Sequence, residues 1–208
     1  KKIFDENIRV IFSSNVKIDD LYKDGLQREQ FIPFIKFMKK KCLEQMLVIK
    51  EDYRKSQRRN NDRYFYPLNE ITSFKINKLF RKLTRDKIKQ EKILVVKGRK
   101  FTIKNYYEGV VRFDFSDLCN KNIGAEDYIK ITGVSKYIFI ENLPNFDDKN
   151  SNQQQRFITL IDIIYEKRVS LTISSVSNLN KLTSSKSLSE PFRRTLSRLH
   201  ELTSSSYN

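Results

Sequence analysis

Residues 137–175 constrain the fold more than any other stretch of this sequence. YIFIE (Tyr137 to Glu141) is a short run of aromatic and β-branched residues, the pattern of a buried strand. Between Gln153 and Glu166 the large apolar residues Phe157, Ile158, Leu160, Ile161 and Ile164 recur at helical spacing, and Val169 to Ser175 reads as a second strand. A strand, a helix and a strand in this order form a βαβ crossover. A parallel sheet is therefore expected at this end, and the fold class is α/β.

The rest of the chain divides by the same rules. Ile8 to Ser14 (IRVIFSS) reads as a buried strand, with Asn15 just beyond it, and Asp19-Asp20 can cap a short helix. Phe31, Ile32, Phe34, Ile35, Phe37 and Met38 define an amphipathic helix from Gln27 to about Lys41, with Pro33 expected in its first turn. Met46 to Ile49 is expected to be a strand and Tyr53 to Arg63 a loop. Leu68, Ile71, Phe74, Leu79, Phe80 and Leu83 mark a second amphipathic helix with a basic outer face. Ile93 to Val96 and Lys100 to Lys104, joined by Lys97-Gly98-Arg99, read as a β-hairpin. Gly109 to Phe115 (GVVRFDF) reads as a strand, Ser116 as the N-cap of Asp117 to Cys119, and Ala125 to Ile131 as a helix. Pro144 to Ser151 is a polar loop, Thr183 to Ser189 a serine-rich one, and Pro191 to Leu202 a final helix. A sparse internal echo runs at an offset of 161. Ser13-Ser14, Leu21, Glu29 and Phe31 recur as Ser174-Ser175, Leu182, Glu190 and Phe192, and a shared strand–loop–helix pattern explains these identities equally well.

Composition sets limits. At 208 residues, with 38% hydrophobic and 12% aromatic residues, the chain is too apolar for a disordered tail. No apolar run approaches the roughly 18 residues of a membrane-spanning helix. Two cysteines, Cys42 and Cys119, make no disulfide framework, and with the single His200 they make no zinc site. A reducing compartment is the simpler reading. The net charge of +16 is concentrated: Lys75 to Lys104 carries +10 and Lys36 to Arg63 carries +6. Such stretches are either a solvated lysine-rich face or a surface for anionic lipid, nucleic acid or acidic protein.

Chemistry-bearing motifs are sparse. The five glycines (25, 98, 109, 124 and 133) include no pair five apart, so neither a phosphate-binding P-loop nor G-x-G-x-x-G exists in these residues. His200 has no G-x-S-x-G elbow to serve and reads as a surface residue. What remains is a strand ending in Asn15 and, soon after, Arg28 at a helix start. A strand-end amide can orient an attacking water, and an arginine at a subunit edge can stabilise charge on a transferring phosphoryl group. Read alone, the spacing favours the plainer reading of a turn asparagine and a solvated helix start.

The run SSN…LYKDGLQREQFIPFI (Ser13 to Ile35) resembles the stretch after the Walker B strand in the ZapE family of ATPases. That family includes the mitochondrial ATPase-family-gene-one protein and the lactation-elevated ATPase. The likeness continues through DYR (Asp52 to Arg54), YFYPL (Tyr64 to Leu68), GVVRFDFSDLC (Gly109 to Cys119) and IGAEDYI (Ile123 to Ile129). RFITLIDIIYEKRVSL (Arg156 to Leu171) and RTLSRLHELTSSSY (Arg194 to Tyr207) extend it to the end. The resemblance implies an AAA+-type P-loop ATPase with this chain as its C-terminal half. The family's Walker A and Walker B segments would lie upstream of Lys1, where the N-terminus reads as cut.

On that resemblance Asn15 matches a sensor-type asparagine and Arg28 is the candidate arginine finger, both catalytic. Arg194 and Arg198, four apart on one helix face, would approach the nucleotide, or else are surface charge. The implied substrate and metal are ATP and Mg2+, held mainly by the upstream half, so these residues alone are expected to be inactive. The implied partners are further copies in a homo-oligomeric ring, protein substrates or proteases, and at most peripheral anionic membrane, with nucleic acid not expected. The implied location is mitochondrial, in protein quality control. Two departures stand out. Val16-Lys17-Ile18 follows Asn15 where the family has Arg-x-Pro, and Asn142-Leu143-Pro144 replaces Asp-Val-Pro.

The expected organisation is therefore a C-terminal part of an ATPase core (1–63), a basic helix and hairpin segment (64–135) and a βαβ unit with a final helix (136–208). The alternative function is a non-catalytic basic module that docks on an anionic partner. A degenerate remnant without function is a third reading.

Overall fold

The computed structural model describes residue 6 and residues 8–23, 25–46 and 62–204. The chain separates into two compact units, Lys1–Lys50 and Glu51–Asn208.

In the first unit, the residues expected to form a buried strand (8–14) belong to no strand. Ile11 is 96% exposed, and Ile8 and Phe12 are more than half exposed. A strand needs neighbours for its N–H and C=O groups, and the described residues of this unit supply none. A 3-10 turn, Ile18–Asp20, leads to helix α1, Arg28–Lys41, which buries Ile35 and Met38. Gln27 precedes the helix in the left-handed region at φ +60°. Pro33 lies in the second turn rather than the first, where its missing N–H removes one helical hydrogen bond. The rings of Tyr22, Phe31 and Phe34 pack in series at 5.5 and 5.1 Å, holding α1 to the preceding turn. The strand expected at 46–49 and most of the loop expected at 53–63 lie outside the described residues.

The second unit is built on one six-stranded sheet. Its strands are β1 (Tyr64–Phe65), β2 (Gln90–Val96), β3 (Arg99–Tyr107), β4 (Val110–Asp114), β5 (Tyr137–Leu143) and β6 (Ser170–Ser175). The spatial order is β1-β6-β5-β4-β3-β2. β1, β6, β5 and β4 are mutually parallel, and β3 and β2 add an antiparallel meander. Segments 64–135 and 136–208 thus contribute strands to the same sheet.

The predicted hairpin is present. Its turn residues Lys97 and Gly98 have φ +48° and +78°, the double left-handed geometry of a two-residue turn that follows the strand twist.

Helices cover both faces. Helix α2 (Glu70–Thr84) packs Ile76, Leu79, Phe80 and Leu83 against Val110 and Phe139. The opposite face holds the main core, where Val111, Ile138, Ile140, Leu171 and Ile173 meet α3 (Phe115–Cys119), α4 (Ala125–Val134), α5 (Ser151–Glu166) and α6 (Ser189–Leu202). This arrangement follows from handedness. β4→β5→β6 advance one way across the sheet with right-handed crossovers, so α4 and α5 share a face. β1→β4 runs the other way and puts α2 on the opposite face. The predicted inward stripe of α5 (Phe157, Ile158, Leu160, Ile161, Ile164) is fully buried, each side chain adding roughly 1.5–3 kcal/mol of transfer free energy.

One cap differs from expectation. Asp114, not Ser116, is the N-cap of α3, because the backbone is still extended at Asp114. Ser116 is already helical and donates both its N–H and its hydroxyl to Asp114 Oδ1.

Candidate functional site

Asn15 is exposed in the bend after the extended segment. Beside it Ser14 Oγ accepts from Val16 N at 3.2 Å. Arg28 opens α1 and turns back over the 3-10 turn, donating to the carbonyls of Asp19 (2.8 Å) and Lys23 (3.5 Å). Its Nε is buried without a partner among the described residues. Lys39 Nζ reaches Asp19 Oδ2 at 2.5 Å, which ties the last turn of α1 to the same 3-10 segment. No hydrogen bond joins Asn15 to Arg28 among the described residues.

Arg194 and Arg198 are in the second unit and meet on one carboxylate. Both donate to Asp162 of α5, Arg194 at 3.1 Å and Arg198 by a shorter bond, and Arg198 also lies 5.0 Å from the centre of the Tyr165 ring. Tyr165 Oη donates to Glu201 of α6 at 3.0 Å. These contacts clamp α6 onto α5. The sequence placed the two arginines on one helix face but gave no sign of Asp162, which only the α5–α6 packing brings to them.

In open α/β sheets, ligands bind outside the carboxyl ends of the strands, where adjacent strands send their connections to opposite faces. Here those strands are β1, which leads to α2, and β6, which leads toward α6. Two tyrosines bond across it. Tyr64 Oη donates to the Ser177 carbonyl at 2.9 Å, and Asn178 Nδ2 donates to Tyr66 Oη at 2.6 Å. Burial pushes the Tyr64 hydroxyl up to about 12.

Beside this crevice, a chain of polar bonds joins the ends of β4, β5 and β6. Asn142 Nδ2 donates to Asp114 Oδ2 at 2.6 Å, and Asn142 N donates to Ser174 Oγ at 3.1 Å. Asn142 takes a left-handed backbone at φ +62°, which asparagine tolerates better than most residues. Burial works to raise the Asp114 carboxyl, but the hydrogen bonds from Ser116 and Asn142 outweigh it, so the group stays below its ordinary value. A concavity of about 300 Å³ opens here, lined by Asp114, Ser116, Asn120, Asn142, Pro144 and Gln153 among others.

The turn after β1 shows no glycine-rich loop. It runs Tyr66-Pro67-Leu68-Asn69, and Asn69 uses its side chain to cap Thr72 N. No group of three or more His, Cys, Asp or Glu able to hold a metal occurs among the described residues.

The fold is a mixed α/β sheet of the kind P-loop proteins share, and the chain belongs to the AFG1-like ATPase family, whose profile matches residues 1–208. It is 30% identical over 183 residues to lactation elevated protein 1 homolog B of Danio rerio, covering 86% of this chain and 36% of that protein. It is 28% identical over 207 residues to the cell division protein ZapE of Escherichia coli K12, covering 100% of this chain and 55% of that protein. The chain thus spans about half, or less, of the length of these relatives. No solved structure matches.

Proposed function

We propose that these residues are the C-terminal portion of an ATP-hydrolysing P-loop ATPase, and that Asn15 and Arg28 contribute to hydrolysis. The observation that carries this reading is the family match over the whole chain, together with Arg28 at the head of α1. Arg28 offers a guanidinium whose Nε has no protein partner among the described residues, and it is otherwise held by two carbonyls that a phosphate can outcompete. A guanidinium fits the charge that develops on a transferring phosphoryl group. The phosphate cradle itself does not come from these residues, which lack the glycine spacing it needs. ATP and Mg2+ are therefore assigned to polypeptide outside them, and these residues alone are inactive. Assembly into a homo-oligomeric ring would let Arg28 act on a neighbour's nucleotide, and mitochondrial protein quality control is the proposed setting.

The test is Arg28→Ala in the protein expressed from its whole gene. Hydrolysis is expected to fall on the order of a hundredfold or more with nucleotide binding retained. Hydrolysis at the parent rate sinks the assignment.

A second reading has its own observation. The outward face of α2 sets exposed Ile71 and Phe74 among Lys78, Arg81, Lys82 and Arg85. This face suits an anionic partner. Nucleotide-independent binding that weakens steeply between 50 and 200 mM salt favours it, on the order-of-magnitude scale of counterion release.

A further inference from the structure

The concavity at the carboxyl ends of β4 and β5 is built around one carboxylate. Open α/β sheets take their ligands outside the carboxyl ends of the strands. β5 is distorted at that end. Its pairing with β6 slips by one residue between Ile140 and Leu143, and Asn142, within the slipped stretch, is left-handed. A bulge of this kind re-aims a side chain, and a left-handed residue other than glycine is found where a site requires it. The side chain re-aimed here is that of Asn142, which reaches Asp114 on the neighbouring strand.

The two oxygens of Asp114 are used unequally. Oδ1 takes two bonds, from Ser116 N and Ser116 Oγ, and Oδ2 takes one, from Asn142 Nδ2. A carboxylate oxygen accepts two, so Oδ2 keeps an acceptor position. Asn142 is held in turn. Its N–H donates to Ser174 Oγ, and the carbonyl of the next residue, Leu143, accepts from Ser175 Oγ and Val176 N. Asp114 is therefore fixed in place by the chain itself, and a ligand is spared the cost of ordering it. Asn142 spends its amide nitrogen on Asp114 and keeps its side-chain carbonyl as an acceptor. Asn120 and Gln153 line the same space with two further carboxamides, and Phe115 and Pro144 add an apolar wall.

This lining selects one chemistry. A lone carboxylate among carboxamides is a poor seat for a divalent cation, and its charge repels phosphate. Hydrogen bonds hold Asp114 below its ordinary value, which makes it a fixed charge and a weak base at neutral pH. A guanidinium is a cation with five N–H donors in one plane and no acceptor, and it matches a carboxylate and neighbouring carbonyl oxygens. Its aliphatic stem suits the wall of Phe115 and Pro144. A volume of about 300 Å³ is at the small end for ligand cavities, room for one long side chain. We propose that this concavity binds an arginine side chain presented by another polypeptide, with the guanidinium on Asp114 Oδ2 and the carboxamide oxygens and the stem against Phe115 and Pro144.

The probes are N-acetyl-arginine amide and N-acetyl-citrulline amide, which have the same length and differ in charge. Each is titrated into the protein expressed from its whole gene and followed by ligand-observed NMR. The arginine probe is expected to bind roughly tenfold more tightly than the citrulline probe, the scale of one charge-assisted hydrogen bond. Asp114→Asn keeps a side-chain oxygen for the cap of α3 and is expected to abolish that preference. Gln153→Ala touches neither the cap nor the bonds to β5 and β6, and is expected to weaken arginine binding roughly threefold or more at an unchanged melting temperature. Equal binding of the two probes, no binding of either at roughly 10 mM, or a preference that survives Asp114→Asn overturns the proposal. Free arginine binding more tightly than the arginine probe overturns the polypeptide source. If Asp114→Asn does not fold, Gln153→Ala decides, and unchanged arginine binding in that variant overturns the site.

Discussion

The side-chain amide of Asn142 donates to Asp114 Oδ2 across 2.6 Å, tying the carboxyl end of β5 to that of β4. An aspartate at 142 would set two carboxylates against each other at a place where Asp114 already accepts two bonds from Ser116. Asn142→Asp is therefore expected to destabilise the fold by about 2 kcal/mol at pH 7.5, the scale of a lost hydrogen bond to a charged group. The signs are opposite in parent and variant. In the parent, the lowered Asp114 value gives stability that is present above the ordinary carboxylate range and lost as pH falls through the folded value. In the variant, mutual repulsion raises both values, so its penalty is relieved on acidification. Thermal melts at pH 7.5 and 4.5 should show the gap narrowing in acid, and an equal gap at both excludes the repulsion.

The Asp162 clamp distinguishes its two arginines. Arg198 is mostly buried and stacks on Tyr165, while Arg194 is 63% exposed. A double-mutant cycle between Asp162→Ala and Arg198→Ala, read by urea unfolding, is expected to give a coupling of about 1–2 kcal/mol. The cycle with Arg194→Ala should give under about 1 kcal/mol, as exposed pairs do. Equal couplings would mean that Arg198 gains nothing from burial.

Much of the second unit was legible because its signals are local. The α5 stripe from Phe157 to Ile164 follows one period, and Gly98 takes its left-handed turn position without steric cost. The cap at Asp114 was missed because Ser116 and Asp114 are both good caps, and only the end of the strand decides between them. The strand at Ile8 to Ser14 failed for a different reason. A short apolar, β-branched run reports that a segment is fit to be a strand, and pairing decides whether it is one. Of the candidate site, the sequence placed Arg28, Arg194 and Arg198 on their helices, whereas the strand expected to end at Asn15 is not formed. It could not show that Arg194 and Arg198 converge on Asp162, or that Tyr64 and Tyr66 bond to Ser177 and Asn178 beyond β6. Those contacts join residues that lie 32 or more positions apart in the chain.

The buried tyrosines have an alkaline signature. Burial raises the Tyr64 hydroxyl to about 12 and also raises Tyr128 and Tyr137, the latter against a lowering hydrogen bond with Thr172. A raised folded value favours the neutral phenol. Its stabilisation is complete below the unfolded value near 10 and is lost as pH climbs toward the folded value. Absorbance at 295 nm should therefore show the exposed tyrosines ionising first and a late group ionising only as the fold opens, with Tyr64→Phe removing one residue from the late group. A single transition for all tyrosines at the ordinary value would mean that Tyr64, Tyr128 and Tyr137 are open to water.

Cys119 reports on the packing of α3 against α5. Burial pushes its thiol up to about 12, against a smaller lowering influence from Arg156, so the reactive thiolate is suppressed both by access and by proton affinity. Arg156 Nη1 also donates to the Cys119 carbonyl at 2.9 Å, holding the last turn of α3 to α5. Cys42 is only partly buried. With an aromatic disulfide reagent at pH 8, Cys42 is expected to react first and Cys119 on the order of a thousandfold more slowly, at a rate set by opening of the fold. Arg156→Ala removes both the lowering charge and the carbonyl bond, and the two losses act in opposite directions on the labelling rate. The charge effect leaves a thiol that is harder to ionise, which slows labelling, while the lost bond opens α3 more often, which speeds it. Because Cys119 reacts only through opening, the second effect should dominate and labelling should accelerate. Slower labelling in that variant would show instead that Cys119 reacts from the closed state, with Arg156 setting its ionisation.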